Sequence, residues 1–144
     1  MLFENILVPY DISKCSNHAF KVALNMAEKY DSKLNILTCI KRDDWHHYYF
    51  DSRANTELLK KQRKAIEKDI SKLEDTAKKK NIKITTSVIN TDSVVNQIVS
   101  FAKSRKIDLV VMGSHGRSGF DKLVLGSVTN GVAQKVNCPV LIIK

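Results

Sequence analysis

Short apolar runs alternate with longer amphipathic stretches along the whole chain. The runs have the length and the Val, Ile and Leu content of buried strands, and they lie at residues 5–9, 33–40, 82–90, 107–113 and 139–144. Between them, apolar residues recur at the spacing of one helix face, as do Ala19, Ala23 and Ala27. The pattern therefore predicts helices at residues 12–30, 55–81, 92–106 and 127–136. Ser13 or Ser16 is expected to cap the first helix.

The order of these elements is β-α-β-α-β-α-β-α-β, with a loop before the last helix. Such alternation predicts an α/β fold, in which helices cover both faces of a parallel sheet. The sequence has neither internal repeats nor linker-like segments, so we expect one domain over residues 1–144. In sheets of this kind, ligands bind beyond the carboxyl ends of the strands. Residues 9–11 and 113–116 follow the first and fourth strands, and they border one crevice if these strands are neighbours.

Glycine is concentrated beside that predicted crevice. Four of the five glycines lie between residues 110 and 130, and Gly131 follows directly. Glycine permits positive φ and a close approach of the backbone to a ligand. Successive N–H groups in such turns bind anions, as does the start of a helix, here expected near Ser127. The composition is typical of a phosphate cradle or of a flexible loop before a capped helix. Further donors or charges come from Ser114, His115, Arg117, Ser118, Lys122, Ser127 and Thr129.

The segment GSHGRSGFDKLVLGS resembles the G-x2-G-x9-G-[ST] signature of the universal stress protein family, in its ATP-binding branch. Gly113, Gly116, Gly126 and Ser127 fill the defined positions. Further segments resemble the family in family order: NILVPYDIS, DLVVMGSHGRSG, LGSVTNGV and NCPVLIIK. The resemblance implies a Rossmann-like (adenine nucleotide alpha hydrolase-like) fold with one five-stranded parallel sheet. Its strand order would be 3-2-1-4-5, which places the first and fourth strands side by side.

The same resemblance implies a site for ATP, or for AMP or ADP, with Mg²⁺ carried by the phosphates. Asp11 would lie near the adenine and the ribose, with Pro9 and Tyr10 on the adenine side. Cys39 would lie against the base, where the family has a small apolar residue. Met112 and Gly113 would touch the nucleoside, and Ser114 and His115 belong to the same loop. The residues implied to surround ribose and phosphates are Gly116, Arg117, Gly119, Gly126, Ser127, Val128 and Thr129.

The family resemblance also implies a homodimer that forms through the last strand, Val140, Leu141, Ile142 and Ile143. An apolar edge strand is an aggregation hazard when it is left unpaired, so such pairing is physically reasonable. The function implied is that of a nucleotide-dependent regulator in the stress response, acting on an unknown protein partner. A weak or partner-dependent Mg-ATP hydrolase is the alternative, although no general base is evident in the sequence.

The charge adds a second alternative. Lys and Arg number 24 against 15 Asp and Glu, which gives a formal charge of +9. Residues 60–83 carry ten of these basic side chains and four acidic ones. A solvated helix face explains this stretch, and binding of nucleic acid or of an acidic partner is the rival interpretation. The stretch has no interleaved aromatic residues, which makes nucleic acid the less favoured partner.

Three features remain outside these interpretations. Residues 41–52 combine carboxylates, two adjacent histidines and four aromatic residues, which is a weak metal signal and more typical of a surface loop. Cys15 and Cys138 are expected to pack inertly, and His18 to lie on a helix surface. Three widely spaced cysteines argue against a disulfide framework. Together with a start that lacks the features of a signal peptide and the lack of a membrane-length apolar run, they predict a cytoplasmic protein.

Overall fold

The computed structural model describes residues 2–41, 52–116 and 124–144. Its strands are β1 (Asn5–Pro9), β2 (Lys33–Lys41), β3 (Ile84–Thr91), β4 (Leu109–Gly113) and β5 (Val140–Ile143). Its helices are α1 (Lys14–Tyr30), α2 (Ser52–Lys79), α3 (Val94–Ser104) and α4 (Ser127–Lys135). The predicted alternation of strands and helices is confirmed.

All five strands form one parallel sheet in the order β3-β2-β1-β4-β5. β1 lies between β2 and β4, so the strand order reverses at β1 and the predicted neighbourhood of the first and fourth strands is confirmed. Such a reversal opens a crevice at the carboxyl ends of the strands, because the connecting segments diverge to opposite faces.

Each face of the sheet has its own core because successive strand residues point to opposite sides. Ile6 and Val8 of β1 pack with α1 and α2. Leu7 of the same strand packs with residues of α3 and α4, including Ile98 and Val132. Helices therefore cover both faces, as predicted.

The helices α1, α2 and α3 end in a common way that uses no glycine. Asn81, after α2, has φ 57°, and the N–H of Ile82 donates to the carbonyl of Ala77 at 3.0 Å. This bond closes a Schellman motif. Asp31 after α1 and Lys106 after α3 adopt the same left-handed conformation, with φ 56° and 52°. The glycines of the described chain are thus kept for other positions.

Several predicted boundaries were wrong by one to three residues. α2 begins at Ser52 rather than at residue 55, because the apolar stripe that marks the helix starts only near Leu59. β3 begins at Ile84, since Ile82 belongs to the end motif of α2. Ser13, one of the two proposed caps of α1, accepts the backbone N–H of Ser16 at 3.1 Å. Most of the predicted 41–52 loop, residues 42–51, lies outside the described residues.

Candidate functional site

A crevice of about 330 Å³ lies at the carboxyl ends of β1, β2 and β4. β1 pairs with β2 as far as Pro9 opposite Leu37, and the N–H of Tyr10 makes one further bond to the Leu37 carbonyl at 2.9 Å. β2 continues beside β3 to Lys41, opposite Thr91. The early departure of β1 leaves the end of β2 exposed on one side, and this step forms the wall of the crevice.

Cys39 lies on this exposed end of β2, with its thiol against the crevice. Burial raises the pKa of the thiol from its ordinary value to about 11, so the group is a neutral thiol at physiological pH. Cys39 therefore contributes to the wall as a small hydrophobic side chain.

Tyr10 borders the crevice but its phenol is already bonded. The hydroxyl donates to Asn17 Oδ1 at 3.0 Å, and the ring is part of the core beneath α1 and α2. Burial, and then the nearby Asp69 carboxylate, raise the pKa of Tyr10, which keeps the phenol neutral. The ring supplies apolar surface to the crevice.

Asp11 stands where β1 gives way to α1. The N–H of Ser13 donates to Oδ1 at 3.0 Å, and the N–H of Asp11 donates to the Ser16 hydroxyl at 3.4 Å. Oδ2 lies only 2.7 Å from the point that a β-carbon on Gly116 would occupy. The carboxylate is therefore held between the start of α1 and the chain that leaves β4.

The glycines at the crevice are required for space, not for unusual backbone angles. A β-carbon on Gly113 would lie 2.6 Å from Cys15 Cβ, so only glycine lets α1 approach the end of β4. None of the glycines in the described parts of the chain has positive φ, so the positive φ that glycine permits is not used at those residues. Gly131 lies away from the crevice, where its missing side chain makes room for Val95 of α3.

The start of α4 faces the crevice. Gly126 is its cap residue and makes no side-chain cap bond, and the first helical bond runs from the N–H of Asn130 to the Gly126 carbonyl at 2.9 Å. The N–H groups of Ser127, Val128 and Thr129 consequently have no acceptor within the helix. They concentrate partial positive charge at the crevice.

Thr129 and Ser114 have structural bonds that the sequence did not reveal. Thr129 is 3% exposed, and its hydroxyl donates to the Gly113 carbonyl at 2.8 Å, so this hydroxyl is not available as a ligand donor. Ser114 is 4% exposed and does not line the crevice. Its carbonyl accepts the N–H of Gly126 at 2.8 Å, which joins the two glycine segments.

His115 lies in the crevice wall beside Ser114. Its Nδ1 is 3.0 Å from the Ser114 hydroxyl. Its Nε2 is buried and has no hydrogen-bond partner among the described residues. A buried ring nitrogen without a partner has a cost that a polar ligand group would relieve.

The crevice brings together most of the residues that the resemblance implied. Those that line it are Pro9, Tyr10, Asp11, Cys39, Met112, Gly113, His115, Gly116, Gly126, Ser127, Val128 and Thr129. Arg117 and Gly119 lie outside the described residues. Sequence reasoning missed the lining residues that come from the helices and from the rest of β2: Ser16, Leu37, Thr38, Ile40, Lys41, Gln62, Ile66, Val94 and Ile98. Two sequence signals point to some of these missed residues. Those on β2 are expected when the strand is continued past Cys39, and Gln62 is a polar residue that interrupts the apolar stripe of α2.

Residues 2–41, 52–116 and 124–144 contain no group of three or more His, Cys, Asp or Glu side chains placed to hold a metal ion. No helix within these ranges has the length and apolar character needed to cross a bilayer.

The basic stretch at residues 60–83 is partly neutralised along α2. Arg63 pairs with Glu67 at 3.3 Å, and Lys80 pairs with Glu28 of α1 at 3.1 Å. These pairs are exposed on both sides and contribute little to stability. They support the interpretation of this stretch as a solvated helix face.

A parallel sheet with helices on both faces and a reversal of strand order at β1 is the architecture of doubly wound α/β domains. The sequence profile of the universal stress protein family matches residues 2–144. Universal stress protein MJ0531 of Methanocaldococcus jannaschii is 31% identical over 145 residues, which cover 99% of this chain and 83% of that protein. The chain belongs to the universal stress protein family.

Solved universal stress proteins share this fold. UspA from Lactobacillus plantarum matches with a TM-score of 0.85 at 24% identity, covering 100% of this chain and 99% of that one. A universal stress protein in complex with cAMP matches with a TM-score of 0.72 at 24% identity, covering 99% and 98% of the two chains. The Archaeoglobus fulgidus protein in complex with dAMP matches with a TM-score of 0.66 at 18% identity, over the full length of both chains.

Proposed function

We propose that this chain is a single-domain protein, over residues 1–144, that binds an adenine nucleotide in the crevice. ATP is the favoured ligand, with ADP and AMP as the other candidates. The observation that carries the proposal is the juxtaposition of an apolar cleft with the uncapped start of α4. A nucleotide has the same division, since its base is flat and largely apolar and its phosphates are anionic. Solved relatives in complex with cAMP and dAMP support the choice of adenine.

The base end of the proposed site is the exposed edge of β2. Backbone groups in a parallel ladder point alternately to the two neighbouring strands. The Leu37 carbonyl points toward β1, since it accepts the N–H of Tyr10, and Cys39, two residues further on, points the same way. The N–H and carbonyl of Cys39 therefore face the place that a longer β1 would occupy. One donor beside one acceptor complements N1 and the N6 amino group of adenine, while Leu37, Met112 and Ile98 supply apolar contacts.

The sugar and phosphate end lies around the start of α4. The Asp11 carboxylate lies beside Gly116. There it can accept a hydrogen bond from a ribose hydroxyl that lies next to the Gly116 backbone. The N–H groups of Ser127, Val128 and Thr129 form a site for anionic oxygen. His115 Nε2 gains a partner if a phosphate oxygen approaches it. Arg117 and Gly119 belong to the same proposed cradle by family resemblance, and Mg²⁺ would be held by the phosphates.

The described crevice lining has a single carboxylate, which favours a regulatory role over hydrolysis of ATP. Asp11 is the one carboxylate among the described lining residues, and it is held at the start of α1 by the Ser13 N–H. A nucleotide that occupies the crevice would change the surface around Gly116 and the start of α4, and so alter what a protein partner meets.

Thermal melts with ATP, ADP, AMP and GTP, each with Mg²⁺, test the proposal. A ligand at about 100 times its dissociation constant stabilises the folded state by about 2.7 kcal/mol, a shift of several degrees. We expect this shift with adenine nucleotides and not with GTP. No shift, once co-purified nucleotide has been removed, would show that the crevice is not an adenine nucleotide site.

Glycine variants locate the bound phosphates. Gly116→Ala combined with Gly126→Ala should remove the shift, because the first added methyl meets Asp11 Oδ2 at 2.7 Å and the second meets the Ser114 carbonyl at 3.3 Å. Gly131→Ala is the matched control: its methyl meets Val95 at 2.9 Å, away from the crevice. This control should lower the melting temperature and keep the nucleotide shift. A double variant that binds ATP with unchanged affinity would refute the cradle.

We also propose that the protein forms a homodimer through β5 and acts in the cytoplasm. β5 is an edge of the sheet, and Leu141 is 37% exposed on it. Pairing of Val140, Leu141, Ile142 and Ile143 with a second copy would cover this edge. Sedimentation of the wild type and of Leu141→Lys tests the dimer: a monomeric wild type would exclude it. The three free cysteines favour a reducing compartment.

A further inference from the structure

Gln62 occupies a position of α2 where the helix pattern calls for an apolar residue. The inward stripe of this helix consists of Leu59, Ile66, Ile70, Leu73 and Ala77. Position 62 is three residues after Leu59 and four before Ile66, so it lies on the same face. A polar amide on the inward face of a helix loses solvation, and this loss needs a compensating partner.

The side chain of Gln62 has no such partner within the described part of the protein. It is half-buried and lines the crevice with Ile66, while the hydrogen bonds of the described residues include none from its amide. The other crevice groups of the α2 side of the sheet include the apolar Ile40 and Tyr10 ring, and also the buried hydroxyl of Thr38, which has no hydrogen-bond partner among the described residues. The Gln62 amide is therefore a polar group at the crevice that solvent still reaches, with a donor and an acceptor that a ligand can use.

The chemistry of an amide narrows the part of the ligand that it can meet. A phosphate would be met by Arg, Lys or backbone N–H groups, because these provide only donors. A glutamine side chain provides a donor and an acceptor side by side, which matches N7 and the N6 amino group of adenine. Guanine offers two acceptors at the same edge, N7 and O6, and pairs instead with Arg or Lys.

We propose that Gln62 is a specificity-determining residue that recognises the N6 and N7 edge of the adenine base. This inference rests on the proposed nucleotide function, with the backbone of Cys39 at the N1 and N6 edge of the same ring. Adenine is then contacted along both polar edges, from β2 on one side and from α2 on the other. Guanine is then mismatched at both edges, by the Cys39 backbone and by Gln62 of α2, a helix outside the glycine signature.

The test measures binding of ATP and of 7-deaza-ATP, which carries a C–H group in place of N7. Each nucleotide is titrated into the full-length wild type, into Gln62→Leu, and into Gln97→Leu. Gln97 is the matched control: it is also half-buried on a helix, but it lies in a separate groove beside Phe101 and Arg105. Melting curves of all three proteins show whether the variants fold.

The wild type and Gln97→Leu should bind ATP about tenfold more tightly than 7-deaza-ATP, because a bidentate pair is replaced by a single hydrogen bond. Gln62→Leu should bind the two nucleotides with equal affinity. Equal affinities in the wild type, or a preserved difference in Gln62→Leu, would overturn the role of Gln62 and leave the nucleotide site in place. If the wild type binds neither nucleotide, the proposed function fails and this inference fails with it.

Discussion

Chemical modification of Cys39 reports on the crevice, because the thiol lies in its wall and reacts only as the thiolate. With a pKa of about 11 against an ordinary 9.0, about a thousandth of Cys39 is ionised at pH ~8, compared with about a tenth of an ordinary thiol. The higher pKa makes the thiolate itself more nucleophilic, by about tenfold toward a disulfide reagent. Protonation alone should therefore slow the reaction by about tenfold.

The assay follows labelling by an aromatic disulfide, with the modified peptides resolved by mass spectrometry so that the rate at Cys39 is measured separately from those at Cys15 and Cys138. The rate at Cys39 should rise with pH up to about pH 11, where the thiol becomes fully ionised. ATP at about 100 times its dissociation constant leaves about 1% of the crevice empty and should slow labelling in proportion. Labelling of Cys39 at the rate of an unfolded control would refute its burial. Labelling that ATP does not slow, under conditions where ATP raises the melting temperature, would place the nucleotide elsewhere.

Three further predictions concern stability, each measured by urea unfolding. Lys106→Gly should stabilise the fold by about 1 kcal/mol, because Lys106 has φ 52°, a conformation that glycine adopts at lower cost. Lys103→Gly inside α3 should instead destabilise the fold by a similar amount. Equal effects of the two substitutions on the free energy of unfolding would contradict this explanation. Asn35→Leu should lower the free energy of unfolding by about 2 kcal/mol, because the side chain of Asn35 is buried at 2% exposure and makes two hydrogen bonds. Its amide N–H donates to the Ile6 carbonyl of β1 at 3.3 Å, and its amide oxygen accepts the Thr85 hydroxyl of β3 at 2.9 Å. An unchanged urea midpoint would show that these bonds contribute nothing. Gly113→Ala should lower the free energy of unfolding by about 2 kcal/mol, because the added methyl clashes with Cys15. In the double variant with Cys15→Gly the loss should be smaller than the sum of the two single losses. A fully additive loss would mean that the clash is relieved elsewhere.

The fold was predictable because each of its elements carries a local pattern. Alternation and helical spacing are properties of neighbouring residues, so strands and helices were identified in order. The ends were less certain, as at Ser52, where the helix extends beyond its apolar stripe. The strand order came from the family resemblance, since periodicity does not say which strands pair.

The candidate site was predictable in its position and less so in its detail. The glycine signature marked the chain around Gly113 and Gly126 correctly as a border of the crevice. The reason for glycine differed from the expected one, because the constraint at Gly113 is Cys15, a residue almost one hundred positions earlier. Close approach of distant segments leaves no local trace beyond the glycine itself.

The sequence by itself determined the succession of strands and helices along the chain and the segment that borders the crevice. Both depend on residues that are close together in the chain. Only the tertiary structure decided which polar groups are already bonded and which face the crevice. Thr129 has the same hydroxyl donor as Ser127, yet it is bonded across segments to the Gly113 carbonyl. The Ser114 carbonyl likewise accepts the N–H of Gly126 from another segment. Gln62 reaches the crevice only because α2 packs on the sheet beside β3. The packing of elements in three dimensions sets these partners, and the residue types alone do not.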